Sequence, residues 1–308
     1  MHETTAFSPA GISSFFEIRD KRPDGRPFKD PVYAGARGGG LVTCRGVLTR
    51  VRLRPASRSR ISVRINGRVA NEARTTISAI SRLLEISREK YSVTIEHRVE
   101  VPIGAGYGAS AAGTLSAALA FSEAADLGMS TNEIGRVVHA AEIANRTGLG
   151  TVGPLLTGGF VITRKSGGPG VAVIDRLPVS PKLKVVSACI GPISTKAVLR
   201  SKDLRKRVNE LGRSAFRSIT SDLRPRSFMK ASKSFAYALG LMAPQTAELI
   251  ELMENAGAIG ATQNMLGQAV HAIAEQDVAD RILRYVKRRF PKVEAFSCDL
   301  DFAGARIL

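Results

Sequence analysis

The sequence contains no tryptophan, and aromatic residues make up only 6% of it. Single-strand nucleic-acid binders interleave stacking rings with their lysines and arginines, and that pattern is missing here. Cysteine is scarce too. Cys44, Cys189 and Cys298 stand far apart with no C-x-x-C spacing, and their odd number argues against a disulfide framework. Reduced cytosolic thiols are the simplest account. Long apolar runs are lacking. The most apolar stretch, Ala109 to Leu127, is interrupted by Gly113, Ser116, Ser122, Glu123 and Asp126, which makes it too polar for a membrane span. The start, Met1-His-Glu-Thr-Thr, has neither the basic region nor the apolar core of a signal peptide. The expectation is a cytoplasmic protein with no membrane segment. No internal repeat and no low-complexity segment is found.

Acidic residues are in deficit: 27 against 45 basic ones, a formal net charge of +18. Such a balance favours anionic partners. Nucleic acid is one class; a nucleotide and a small carboxylate are others. The basic residues are spread over 50–68, 200–226 and 281–289 without aromatic neighbours, so the small anions are preferred and nucleic acid is disfavoured.

The chain offers 308 residues, 44% of them hydrophobic and 23% charged, enough for one large domain or two ordinary ones. A short strand is expected at Phe15–Ile18, a loop at Lys21–Lys29, a flexible turn at Gly35–Gly40 and a β-rich run from Leu41 to Leu53. Ile61 to Ile65 alternates and leads into Asn66-Gly67, a hairpin signal. Ile77, Ile80 and Leu84 have helical spacing, and Tyr91 to Val101 alternates. A helix is expected from Ser110 to Leu127. A second starts at the capping box Ser130-Thr-Asn-Glu133 and ends near Asn145. Strands at Phe160–Thr163, Lys182–Cys189 and Val293–Cys298 follow, with helices at Leu199–Leu223, broken by Pro225, and at Pro244–Asn255 and Val278–Arg289. Strands cluster before the glycine loop instead of alternating with helices, which predicts an α+β fold. The division is placed at 1–175 and 176–308.

The chemistry is concentrated in Pro102-Ile-Gly-Ala-Gly-Tyr-Gly-Ala-Ser-Ala-Ala112. Glycines at 104, 106 and 108 follow a strand and open a helix, so backbone N–H groups can approach phosphate oxygens at a positive helix end. Ser110 offers a hydroxyl where a phosphate-bound Mg²⁺ would lie. No lysine follows, which excludes a Walker loop, and the G-x-G-x-G spacing departs from the dinucleotide fingerprint. A bare glycine loop has a plain alternative, a tight strand-to-helix turn.

The whole string resembles the second motif of the GHMP kinases, P-x-G-x-G-L-G-S-S-A-A, with Tyr107 and Ala109 as departures. Ser8-Pro9-Ala10-Gly11-Ile12 sits where that family's first motif begins. The resemblance implies a ribosomal-protein-S5-like N-terminal half, a ferredoxin-like C-terminal half, ATP and Mg²⁺. It places nucleotide on Pro102, Gly104, Gly106, Tyr107, Gly108, Ala109, Ser110 and Ala111. Within the family, Gly11 replaces the usual lysine, and Asn255-Ala-Gly-Ala-Ile-Gly-Ala-Thr-Gln-Asn-Met-Leu-Gly267 stands in place of the glycine-rich third motif. With Val138-His-Ala-Ala-Glu142, Thr147-Gly-Leu-Gly150 and Gly158-Gly159, this looks like the archaeal-type pantoate kinases. The implied reaction is phosphorylation of the hydroxyl of pantoate for coenzyme A synthesis.

His139, Glu142 and Arg146 share a helix face. On spacing alone the plain reading is preferred, a solvated face with an i,i+4 Glu142–Arg146 pair. The resemblance turns it: Ser110 and Glu142 become the catalytic pair that holds Mg²⁺, and His139 a substrate contact. Arg37 and Arg164 are further candidate clamps for the substrate carboxylate. Relatives carry an aspartate base after Gly-Leu-Gly, where this chain has Thr151, so the general base is left open. His2 and His97 read as incidental and His271 as packed. The alternatives are a GHMP kinase for another hydroxy acid or isoprenoid precursor, a basic S5-like nucleic-acid binder, or a silent ATP-binding relative. The state is left open between monomer and homodimer.

Overall fold

The computed structural model describes residues 2–191 and 202–308. Strands β1 (His2–Arg19) and β2 (Gly35–Pro55) open the chain and pair antiparallel along their length. Both are longer than their sequence suggests. The glycine run expected as a flexible turn is the opening of β2, and the reason is packing. A Cβ on Gly38 would lie 2.4 Å from the Phe15 carbonyl oxygen, one on Gly40 1.9 Å from that of Ile12, and one on Gly39 2.7 Å from the Phe228 ring. Glycine serves here for close approach of neighbouring chain, not for turning. The register slips between Ser13 and Phe15, so Ser14 is an extra, bulged residue.

Strands β3 (Arg60–Ile65) and β4 (Arg68–Val69) form the expected hairpin, with Asn66 and Gly67 at φ 48° and 82°. Helix α1 (Arg74–Ser87) and β5 (Tyr91–Val99) follow, then α2 (Ala109–Ala124), α3 (Thr131–Asn145), α4 (Val152–Thr157), β6 (Phe160–Lys165) and β7 (Val173–Arg176). The first sheet runs β12 (Arg306–Ile307), β1, β2, β5, β3, β4, with β6 on the other end of β2 and β7 beyond it. Its last strand, β12, comes from the C-terminus, so both ends of the chain build this sheet, and the expected division at 175/176 cuts β7. Val51 and Ile95 pack against Ile80, Leu115 and Phe121 under the helices. Helix α2 is buried on every side from Ala111 to Ser122, which is why alanine dominates it. The capping box at Ser130 and Glu133 is formed in both directions.

The second half runs β8 (Lys184–Gly191), α5 (Lys202–Ser221), α6 (Pro225–Leu239), α7 (Pro244–Asn255), β9 (Gly260–Gln263), β10 (Gln268–Ala274), α8 (Gln276–Arg289) and β11 (Glu294–Asp299). The sheet order is β11-β8-β10-β9, all antiparallel, the split β-α-β-β-α-β arrangement expected of a ferredoxin-like half. Residues 199–201, the expected start of α5, lie outside the described residues. Pro225 does not simply break that helix; it opens α6 from its first turn, where its missing N–H costs nothing. Strands β9 and β10 escape a reading by alternation because nearly all of their residues are buried. Helix α6 wedges between the sheets, and Phe228 stacks edge-on against Phe160 at 4.5 Å and Phe15 at 5.7 Å.

Candidate active site

A cavity of about 390 Å³ opens where the glycine loop, the glycine strand of β2, the α3–α4 connection and Met265 and Leu266 meet. Its size suits a small ligand site between two halves of a chain.

Gly104, Gly106 and Gly108 hold φ values of +79°, +84° and +63°, which side chains rarely adopt. Space is closed as well: a Cβ on Gly106 would lie 2.9 Å from that of Asn264. Gly108 is the N-cap of α2 and offers no side-chain acceptor, so the first-turn N–H groups stay open for an anion. Gly104, Gly106, Tyr107, Gly108, Ala109 and Ser110 line the cavity. Pro102 and Ala111 do not, and Ala111 is packed in the core under α2. The Tyr107 side chain is committed to the second sheet. Its hydroxyl lies 2.7 Å from Ser187 Oγ, its ring packs on Phe296, and burial pushes its pKa well up.

A buried relay fixes the loop from behind. Bulged Ser14 Oγ lies 2.8 Å from His271 Nε2, and His271 Nδ1 lies 2.8 Å from Asn264 Oδ1. Asn264 Nδ2 donates to the Ala105 carbonyl at 3.4 Å. The amide oxygen only accepts, so His271 carries its proton on Nδ1 and accepts from Ser14. Burial lowers its pKa to about 3, so it stays neutral.

Ser110 Oγ donates to Glu142 Oε1 at 3.0 Å, and Thr147 Oγ1 donates to the same oxygen at 2.7 Å. Glu142 is 2% exposed, and burial raises its pKa against the lowering effect of those two hydroxyls. A Cβ on Gly148 would lie 1.9 Å from Glu142 Oε2, so only glycine lets the carboxylate lie against that turn. Helix α3 ends at Arg146, in the left-handed conformation at φ 56°, and the Thr147 N–H donates to the Glu142 carbonyl at 3.1 Å.

Among the described residues the charged groups lining the cavity are Arg37 and Arg146, and no aspartate or glutamate lines it. Arg37 is held by Glu17, whose Oε2 lies 2.9 Å from Nε and 2.7 Å from Nη2, and its guanidinium covers the Phe216 ring at 4.2 Å. Glu17 itself is buried, with Arg19 at 2.9 Å and Arg213 at 3.5 Å. Thr151 lines the cavity, its methyl against Gly108 and Gly11.

Two expected substrate contacts stand elsewhere. His139 does not line the cavity. It is 1% exposed, donates from Nε2 to the Ala34 carbonyl at 2.9 Å and is covered by Gly168, so it ties α3 to two loops. Burial lowers its pKa and keeps the ring neutral. Arg164 pairs with Asp175 across the β6–β7 hairpin and lies in a neighbouring cleft with Lys21 and Lys165. Arg37 lines both spaces. The shared face of His139 and Glu142 is therefore buried, not solvated, and Glu142 bonds hydroxyls where an Arg146 pair was the plain reading. Thr147, Gly148 and Asn264 stand in the sequence only as parts of the family-like strings, with no role of their own. The first two had a signal in their position just past α3; Asn264 had none, since its partners come from three distant segments.

Residues 73–159 match the family model described as GHMP kinases N terminal domain, and 202–292 that described as GHMP kinases C terminal. The chain is 28% identical over 279 residues to a pantoate kinase of Thermococcus kodakarensis, covering 90% of this chain and 89% of that one. It is 28% identical over 284 residues to a pantoate kinase of Methanospirillum hungatei, covering 91% and 90%. Among solved structures, a phosphotransferase related to the CoA biosynthesis pathway superposes with a TM-score of 0.88 at 24% identity, covering 99% of this chain and 98% of that one. A homoserine kinase from Cytophaga hutchinsonii superposes with a TM-score of 0.73 at 17% identity, covering 100% and 98%.

Proposed function

The chain belongs to the GHMP kinases, and on that premise we propose that it is a pantoate kinase, which moves the γ-phosphoryl group of ATP to the hydroxyl of pantoate and yields 4-phosphopantoate for coenzyme A synthesis. The observation that carries this reading is one cavity lined by an uncapped helix start on a glycine loop, by Ser110, which buried Glu142 backs from behind, and by two arginines, with no acidic lining residue among the described residues. Such a lining suits two anions at once, a triphosphate and a carboxylate. The curated relatives over most of the chain's length carry the name pantoate kinase.

The loop amides from Gly104 to Ser110 hold the triphosphate. Ser110 Oγ and Glu142 Oε1 are hard oxygen donors 3.0 Å apart, and Glu142 is a buried carboxylate with hydroxyl neighbours. That set fits Mg²⁺, which takes few protein ligands and fills its shell with water and phosphate oxygens. When bound, Mg²⁺ neutralises charge on the β- and γ-phosphates. Arg37, pinned through Nε and Nη2 by Glu17, keeps Nη1 for the acceptor carboxylate. Among the described residues no helix is long and apolar enough to cross a membrane, and Cys44, Cys189 and Cys298 are free, in keeping with a cytoplasmic enzyme.

The test is ADP release with Mg²⁺ across pantoate, mevalonate, homoserine and sugars. Pantoate is expected to give the highest kcat/KM. Preference for another acceptor overturns the substrate, and ATP binding with no turnover of any acceptor overturns the kinase itself.

A further inference from the structure

Among the described residues no carboxylate lines the cavity to take the acceptor proton. Thr151 occupies the place after Gly148-Leu-Gly150 and turns its methyl to the glycine loop, while Glu142 lies buried with Ser110 and Thr147 on its Oε1. Acceleration must come from charge neutralisation, and phosphoryl transfer through a loose transition state allows that.

Arg37 is tied to Glu17. Arg146 is different. Among the described residues it makes no ion pair and no side-chain hydrogen bond, and it is an exposed residue among those that line the cavity. Its backbone is fixed at the end of α3 by a bond to the Ile143 carbonyl at 3.2 Å, one residue before the Thr147 that bonds Glu142. Its Cα thus stands one residue from the hydroxyl that, with that of Ser110, bonds Glu142. The left-handed conformation does not by itself mark a site, since Arg88 ends α1 the same way without lining this cavity. What sets Arg146 apart is an unpaired guanidinium, one residue from the Thr147 that bonds Glu142, in a cavity that no acidic residue lines among the described residues.

We infer that Arg146 is a catalytic residue that contacts the γ-phosphoryl group in flight and makes a general base unnecessary, an inference that rests on the kinase reading above. The acceptor oxygen forms its bond to γ-phosphorus as the bond to the β–γ bridging oxygen breaks. ADP leaves with that electron pair, and the hydroxyl proton passes to a phosphoryl oxygen of the product and then to water. Arg146 meets the charge that builds on the equatorial and bridging oxygens.

The experiment measures steady-state kinetics of full-length Arg146→Ala, Arg146→Lys and Arg146→Gly proteins with Mg·ATP and pantoate. Arg146→Ala is expected to lose about 10³-fold in kcat, the scale of a removed arginine finger. The KM for pantoate should move less than about threefold, because the contact forms in the transition state. Added guanidinium ion should restore part of kcat to Arg146→Ala and none to the native protein, a result that a structural role does not produce. Arg146→Gly should melt no lower than the native protein, since glycine suits that conformation better. An unchanged kcat, or a loss confined to the KM for pantoate, overturns the inference. If the native protein prefers another acceptor, the same series on that acceptor decides, so the substrate fails separately from Arg146. Absence of phosphoryl transfer to every acceptor overturns both.

Discussion

Gly38 to Gly40 in β2 and Gly104, Gly106 and Gly108 in the loop all border the same cavity. Their glycines serve different ends. The loop glycines sit at positive φ, where the backbone has to turn its N–H groups inward, whereas those of β2 are extended and lack a side chain because carbonyl oxygens and the Phe228 ring occupy its place. One run answers a dihedral demand, the other a demand for room. The bulge at Ser14 joins them: it brings a β1 hydroxyl to His271 and, through Asn264, to the loop carbonyl of Ala105.

Paired substitutions separate the two glycine runs. Gly40→Ala sets a methyl against the Ile12 carbonyl, a backbone atom with no rotamer to yield, and should cost about 3 kcal/mol in urea unfolding, the upper range for an overpacked site. Gly106→Ala should cost about 1 kcal/mol in stability and raise the KM for ATP roughly tenfold. If Gly40→Ala melts like the native protein and loses ATP affinity instead, the two runs do not differ as described.

The joining relay gives a pH signature. Burial depresses the pKa of His271 to about 3 and that of His97 to about 4. The unfolded chain titrates near the ordinary value of about 6.5, so between those limits it binds the extra proton. The stabilisation is complete above about pH 6.5 and falls as pH drops, by up to about 1.4 kcal/mol per unit for each histidine. His271→Gln should shed one proton's worth of that slope in melting curves taken from neutral pH downward. An unchanged slope would mean that His271 is not held neutral between the sheets.

The smallest effect is expected at the loop's second anchor. Tyr107→Phe removes a buried hydroxyl 2.7 Å from Ser187 Oγ and should cost about 1 kcal/mol, with a KM for ATP raised less than about threefold. A larger kinetic change would move the Tyr107 hydroxyl from anchoring to ligand contact.

The glycine loop before α2, the capping box of α3 and the α+β class were legible because their signals are local: glycine spacing between a strand and a helix, Ser130 with Glu133, and the order of elements; the two halves followed from the resemblance to the GHMP kinases. The expected places of His139 and Arg164 were not secure, since helical spacing puts His139 and Glu142 on one face but says nothing about what covers it. The loop around Gly168 buries His139, and Asp175 draws Arg164 into a hairpin. Arg146 was visible only as a helix partner of Glu142, because its freedom depends on hydroxyls from Ser110 and Thr147 that satisfy the carboxylate first.

Local order was enough to place a glycine-rich cradle at 102–112, because glycine dihedrals act within a few residues; Glu142 came to it through the resemblance, since helix spacing alone favoured a solvated face. Which cations meet that cradle was decided by packing between distant strands. Buried Glu17 on β1 claims Arg37 on β2, Asp175 claims Arg164 in a half-exposed hairpin, and Arg146 is left at the cavity without an ion pair among the described residues, since an ion pair is chosen by proximity in space, which the sequence order does not show.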